Sequence, residues 1–211
     1  MNVQIIMGIN DRKEREKEEL RGSILAAAKS LFLQKGFEKT SMRNIADQIE
    51  YSPGIIYHYF KDKNEIFHAL HQEGFAALTQ KMSVLSAVSN PLERLKAMGK
   101  IYMSFAKNNP DMYNLMFIKE APIDHLSHHK DEKWMEGNNT FSFLRNTVQE
   151  CMNSGIFSGH ELEPLTYMIW SVVHGMASLK ICGRCEVIYL ENQETIMEEA
   201  YLSFTKILDK I

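Results

Sequence analysis

The side chains best suited to contact a nucleic acid gather between Thr40 and Lys63. Thr40 and Arg43 come first. Ser52, Pro53 and Gly54 follow, then Tyr57, His58 and Tyr59, with Lys61 and Lys63 closing the set. Hydroxyls and cations suit phosphate oxygens, while arginine, histidine and tyrosine also reach base edges. Ser52 is a good N-cap and Pro53 suits a first helical position. Together they predict a helix N-terminus, whose free N–H groups and positive dipole favour phosphate. Two other groupings carry possible chemistry. Cys182-Gly183-Arg184-Cys185 has the spacing of a zinc half-site or a redox pair, and Arg184 would lower a neighbouring thiol pKa. Zinc needs two more ligands, and Cys151 is remote in sequence. His125, His128 and His129 would share one face of a helix, but they fall in the most loop-like segment, Ala121 to Lys130. No nucleophile–base pair or paired carboxylates accompany either group. The expectation is a protein that is not an enzyme and has no metal or cofactor.

These residues need elements to hold them, and the hydrophobic period is helical almost throughout. A first helix is predicted over 11–35. Its start is polar all round, and Leu20, Ile24, Ala27, Ala28, Leu31 and Phe32 then make one apolar face. Gly36 is its stop. Thr40 or Ser41 caps a short helix with Met42, Ile45, Ala46 and Ile49 inward, and a second short helix starts at Pro53. Ile45, Ile49 and Ile56 pack this pair onto the first helix, and Ala46 permits a close crossing. Two helices of barely two turns joined by a tight turn make a poor core but a good reading head, one bracing the other in a major groove. Asp62 caps a long helix over 63–88. Longer amphipathic helices follow at 91–108, 110–119, 133–154, 162–182 and 192–210.

The C-terminal half is rich in methionine and aromatics, and the chain has 13 Met in all. Such side chains fit an adaptable apolar pocket. Tyr102, Tyr113, Phe117, Phe141, Trp170 and His174 are the candidate ligand-binding residues. The helix at 162–182 is apolar on nearly every side, which calls for burial by a second subunit. Met168, Val172 and Met176 there, with Met197, Ala200 and Phe204 on the last helix, are the candidate dimer interface.

Composition narrows the class. With 45% hydrophobic and 24% charged residues, the chain of 211 residues is globular. No run approaches the ~18 apolar residues of a membrane span. The N-terminus lacks a secretory pattern, and three cysteines fit a reducing cytoplasm. The net charge of −3 is no footprint of nucleic-acid binding, so recognition must rest on a local face.

Residues 36–67, GFEKTSMRNIADQIEYSPGIIYHYFKDKNEIF, closely resemble the DNA-binding domain of the tetracycline-repressor (TetR) family. The matching pieces are Gly36-Phe37, Thr40 to Ala46, Ser52-Pro53-Gly54 and Tyr57 to Lys63. Trp170 with His174-Gly175, and the stretch Pro110 to Phe117, look like the Trp-His-Gly subgroup of that family. The resemblance implies an all-α fold. Residues 11–65 would form a helix-turn-helix three-helix domain, and 66–211 a helical ligand-binding and dimerisation bundle. It implies a homodimeric, ligand-responsive regulator, usually a repressor, whose partners are double-stranded operator DNA and a small, mostly apolar or aromatic effector, with no membrane. Positions matching Thr40, Tyr57 and Lys63 would touch phosphates. Arg43, Gly54 and His58 or Tyr59 would lie nearer bases. The two reading helices of a dimer must sit ~34–36 Å apart, and a ligand that tilts the helix starting at Lys63 would change that spacing. Two departures stand out. Glu50 occupies a turn position often held by glycine, at a cost on the order of 1 kcal/mol if left-handed. Tyr59 replaces a frequent histidine. The alternatives are a helical interaction module without DNA binding, or a redox-sensing regulator acting through Cys182 and Cys185.

Overall fold

The computed structural model describes residues 9–118 and 135–211. His125, His128 and His129 lie outside the described residues, as do the first positions of the helix expected at 133–154. Regular structure among the described residues is helical, with no strand. The helices are α1 (Ile9–Lys35), α2 (Met42–Gln48), α3 (Pro53–Tyr57), α4 (Lys63–Ser83), α5 (Pro91–Asn108), α6 (Pro110–Tyr113), α7 (Met135–Asn153), α8 (Leu162–Ile181), α9 (Arg184–Val187) and α10 (Ile196–Leu208). A 3₁₀ turn, Val84–Ala87, follows α4, and a π-helical turn, Asn114–Ile118, continues α6. Two compact units divide within α4, the first ending at His71 and the second starting at Gln72.

In the first unit the polar start of α1 is exposed, with Arg12 and Glu16 paired at 2.7 Å. Beyond it, Ile24, Ala28, Leu31 and Phe32 are buried with Ile45, Ala46, Ile56 and Phe67. Gly36 ends α1 with φ 81°, a left-handed conformation open to glycine at little cost. Phe37 then folds back, its ring 5.2 Å from Phe32 and 5.4 Å from Phe67. Ser41 is the cap of α2: its hydroxyl accepts from Asn44 N, while Asn44 Oδ1 accepts from Ser41 N. This is a capping box with asparagine at the third position. Asp62 Oδ1 opens α4 by accepting from the backbone N–H groups of Asn64 and Glu65.

The turn between α2 and α3 is a Schellman closure. Tyr51 N donates to Ala46 O and Glu50 N to Asp47 O. That geometry forces Glu50 to φ 61°, so the sequence departure is borne as left-handed backbone on a residue with a Cβ.

In the second unit α5 packs against α7 and α8, and α8 also packs on α10. Asn90 caps α5, accepting from Leu92 N and Glu93 N. Arg94 is 7% exposed. Its guanidinium donates to Val88 O at 2.9 Å and pairs with Glu150, tying the start of α5 to α7. Between α7 and α8 the chain passes through Gly155, Phe157 and Gly159, all at positive φ. The Phe157 ring is fully buried with Leu95, Val148, Leu165 and Leu208. Its burial, on the order of 1.5–3 kcal/mol, offsets the left-handed strain of a bulky residue. Gly183 (φ 67°) ends α8, so Cys182 closes that helix and Cys185 lies on the single turn of α9. The three cysteines are free thiols. Burial pushes the Cys151 thiol up to about 11.

Replacing Glu50 with glycine removes the side-chain clash of the left-handed turn. We expect Glu50→Gly to raise stability toward urea by about 0.5–1 kcal/mol. A lower denaturation midpoint in the variant would show that the turn carries no strain.

Candidate DNA-reading surface and ligand cavity

The first surface is built on α2, α3 and the start of α4. Buried Ile45, Ala46 and Ile56 turn one side of each short helix inward. The opposite side leaves Arg43, Ser52, Gly54, Tyr57, His58 and Lys61 exposed, with Pro53 and Tyr59 half-buried. Tyr57 is 56% exposed, far more than an apolar ring without a partner surface needs. Ser52 holds the N-cap position of α3 without a side-chain cap hydrogen bond. Two candidates sit differently from expectation. Thr40 is buried, and its hydroxyl donates to Gly36 O at 2.9 Å. It closes the end of α1 rather than facing a phosphate, because the left-handed turn at Gly36 brings that carbonyl within its reach. Lys63 turns its ammonium onto the chain itself, donating to Phe37 O at 3.0 Å and lying 4.3 Å from the Phe37 ring centroid. It is a strut between the end of α1 and the start of α4, with Glu38 at 3.8 Å.

The second feature is a cavity of about 260 Å³ within the second unit, just below the usual ligand-pocket range of about 300–1,000 Å³. Phe75 and Leu78 of α4, Met98, Gly99 and Tyr102 of α5, Phe117, Phe141 and Leu144, Ile169, Trp170 and Val173 of α8, and Tyr201 and Phe204 of α10 contribute to its wall. Of the six sequence candidates, Tyr102, Phe117, Phe141 and Trp170 line it. Tyr113 and His174 do not; they contact Tyr102, which does. The Tyr102 and Tyr113 hydroxyls lie 2.9 and 2.8 Å from His174 Nδ1. The Tyr113 hydroxyl also lies 3.3 Å from His174 O, to which it donates. Phe117 packs 5.0 Å from the Tyr113 ring, and Trp170 packs 5.7 Å from His174 and 6.0 Å from Phe141. All six therefore form one aromatic cluster.

Burial governs the ionisation of this cluster. It pushes the Tyr102 phenol up to about 12, partly offset by hydrogen bonds from Tyr113 and Trp170. It raises the Tyr113 phenol further and lowers the His174 imidazole below its ordinary value. The cluster is neutral near pH 7, and its polar atoms are bonded to one another.

Gly99 and Tyr201 went unrecognised as cavity residues. The available signal was a glycine inside an amphipathic helix, which marks a close approach. Close packing on a glycine occurs at Gly99 and not at Gly175: a Cβ at Gly175 would meet nothing within 4 Å, while one at Gly99 would lie 2.7 Å from Tyr201 ring carbons. The interface candidates divide. Met168 is exposed, and Val172, Met176 and Ala200 are half-buried. Met197 is buried in its own chain's core, and Phe204 lines the cavity. The last helix is apolar on two sides, and its period does not distinguish inward from outward. Its exposed apolar residues are Leu202 and Ile207; those of α8 are Tyr167, Met168 and Leu179. Among the described residues, no three His, Cys, Asp or Glu side chains are placed to hold a metal ion, and no helix is long and apolar enough to cross a membrane.

A braced pair of short helices with an exposed polar face, followed by a larger helical unit, is the architecture of a helix-turn-helix domain joined to a helical C-terminal domain. Residues 24–70 match the family model described as bacterial regulatory proteins of the tetR family, and residues 95–201 match the tetracyclin repressor-like C-terminal domain. The chain belongs to the TetR family. Among its relatives is the transcriptional activator FasR of Mycolicibacterium smegmatis, 29% identical over 48% of this chain and 47% of that protein. The chain thus spans about half the length of the curated relatives it matches. A TetR-family regulator from Syntrophomonas wolfei has the same fold, with a TM-score of 0.71, 21% identity and coverage of 91% of this chain and 95% of that one. So does the fatty acid degradation regulator FadR of Bacillus halodurans, with a TM-score of 0.68, 15% identity and coverage of 89% and 93%.

The lowered pKa of His174 sets a pH dependence. The unfolded chain takes up a proton near pH 6.5, where the folded chain does not, so stability falls as pH drops below that value. Between about pH 7.5 and about 5.5 the melting temperature of the native chain should fall more than that of His174→Gln. Equal falls would mean that His174 is freely protonated in the folded state.

Proposed function

We propose that the chain is a homodimeric repressor that binds a palindromic operator and is released by a small, mostly apolar ligand held in the α4–α5–α7–α8–α10 cavity. In this reading residues 11–65 form the DNA-binding domain, 66–211 the ligand-binding and dimerisation domain, and the protein acts in the cytoplasm. The observation that carries it is the course of α4. Its first turn follows the reading helix, and one side of its later turns, Phe75 and Leu78, is cavity wall. A ligand that fills the cavity presses on the helix that carries the reading head. It shifts the equilibrium only by its differential affinity for the two positions of that helix.

Arg43, Ser52, Pro53, Gly54, Tyr57, His58, Tyr59 and Lys61 are the proposed operator contacts, and Lys63 serves chiefly to position them. Exposed Tyr167, Met168, Leu179, Leu202 and Ile207 support a second copy seated on α8 and α10, since so many large apolar side chains are rarely left to water. Trp170 and His174, packed together in one cluster, support placement in the Trp-His-Gly subgroup. The structurally similar FadR of Bacillus halodurans is a fatty acid degradation regulator, which agrees with an apolar effector.

Selection of random duplex DNA by the purified chain tests the reading: a recovered palindrome supports it, and a folded dimer with no preferred sequence overturns it. On the selected operator, Tyr57→Ala should weaken binding by about 1–3 kcal/mol while the dimer persists. Lys63→Ala should weaken binding and also lower the stability of the first unit, because it frees the Phe37 carbonyl. Unchanged affinity in both variants would misplace the reading surface.

A further inference from the structure

The geometry points to Tyr201, seated on Gly99, as the stop that sets how long a hydrocarbon chain the cavity accepts from an amphiphilic ligand. This rests on the cavity being the effector site. Among the described residues no charged side chain lines it. Its two phenols are already engaged, Tyr102 with His174 and Tyr201 as a donor to the Lys96 carbonyl. An ionised head group buried among them would lose its water without gaining a partner. The other polar lining groups, Asn138 and Thr140, are exposed and half-exposed on the first turns of α7, and half-buried Phe141 and Trp170 stand with them. That is the mouth. A ligand therefore lies with its hydrocarbon inward and its polar end at exposed Asn138, beside the Thr140 hydroxyl, which itself lies 2.9 Å from that of Thr79.

Another part of the wall is buried. Tyr201 and Leu208 are 2% exposed and Leu95 is 3% exposed. The Tyr201 ring lies against the backbone of α5, in space that only glycine at position 99 leaves open, since a Cβ there would sit 2.7 Å from ring carbons Cε2 and Cζ. Lys96 and Gly99 are one turn apart on α5, so the ring is held at its hydroxyl and along its edge by the same helix. Met98 elsewhere in the wall can repack around a longer ligand. This ring cannot retreat, and the depth of the cavity is set there.

The test is calorimetric titration of the full chain with 1-alkanols of about six to about fourteen carbons, where each buried methylene raises affinity about fourfold until the chain meets the stop. Wild type should show a break in that rise. Tyr201→Leu should move the break to chains about two carbons longer, so that the first alkanol refused by wild type gains about tenfold or more. Gly99→Ala, which drives the ring into the cavity, should move it to shorter chains. Circular dichroism and melting confirm that each variant is folded, and if Tyr201→Leu does not fold, Gly99→Ala decides alone. A break that stays at the wild-type length in the folded variants overturns the assignment. If wild type binds the selected operator but no alkanol, the effector-site reading fails and this assignment falls with it.

Discussion

Helices as short as α2 and α3, 7 and 5 residues, do not persist alone in water, where even good formers need ~12–15 residues. Everything the first unit presents to a partner depends on that limit. The two helices exist because Ile45, Ala46, Ile56 and Phe60 are buried with the apolar face of α1 and the start of α4. One side is spent on bracing, which leaves the other free to be polar. The Phe32–Phe37–Phe67 cluster and the Lys63 strut close the same brace from the far end. Recognition chemistry and stability are thereby separated by face rather than by segment.

The second unit solves a different problem, that of leaving space inside a core without leaving polar atoms unsatisfied. His174, Tyr102 and Tyr113 satisfy one another, so the wall they support can be almost wholly apolar. Rings, aliphatic side chains and Met98 line that wall. The rings held by hydrogen bonds, Tyr102 and Tyr201, are its fixed points, and unbonded Phe117, Phe141 and Met98 are its adaptable ones. The strained connection through Phe157 lies in the neighbouring cluster, where burial of its ring holds α7 and α8 together.

Much of this was legible in the sequence, for identifiable reasons. Helical periodicity, the caps at Ser41 and Asp62 and a first-position proline at Pro53 mark where helices start, and α5 begins and ends where its pattern predicts. The left-handed turn at Glu50 was foreseeable only from the family resemblance, which puts glycine at that position, because glutamate itself gives no such signal. Side-chain direction was less so. Thr40 faces inward because of a neighbouring carbonyl, and Lys63 because of a ring distant in sequence. Met197 and Phe204 belong to an apolar stripe on a helix with apolar residues on both sides. The single turn of α9 and the π-helical turn after α6 follow from tertiary packing and leave no periodic trace. Gly99 carries no sequence signal beyond a glycine inside a helix, because its reason is Tyr201, about a hundred residues away.

Trp170 carries a consequence of its own. It is one of two tryptophans in the chain, and its indole stands in the cavity wall beside His174, Phe141 and Tyr167. Indole fluorescence responds to the polarity and collisional partners of its surroundings. Exchange of cavity water for hydrocarbon alters both at once. Under the proposed function Trp170 is thus an intrinsic optical gauge of the cavity's occupancy, readable without a label and without DNA.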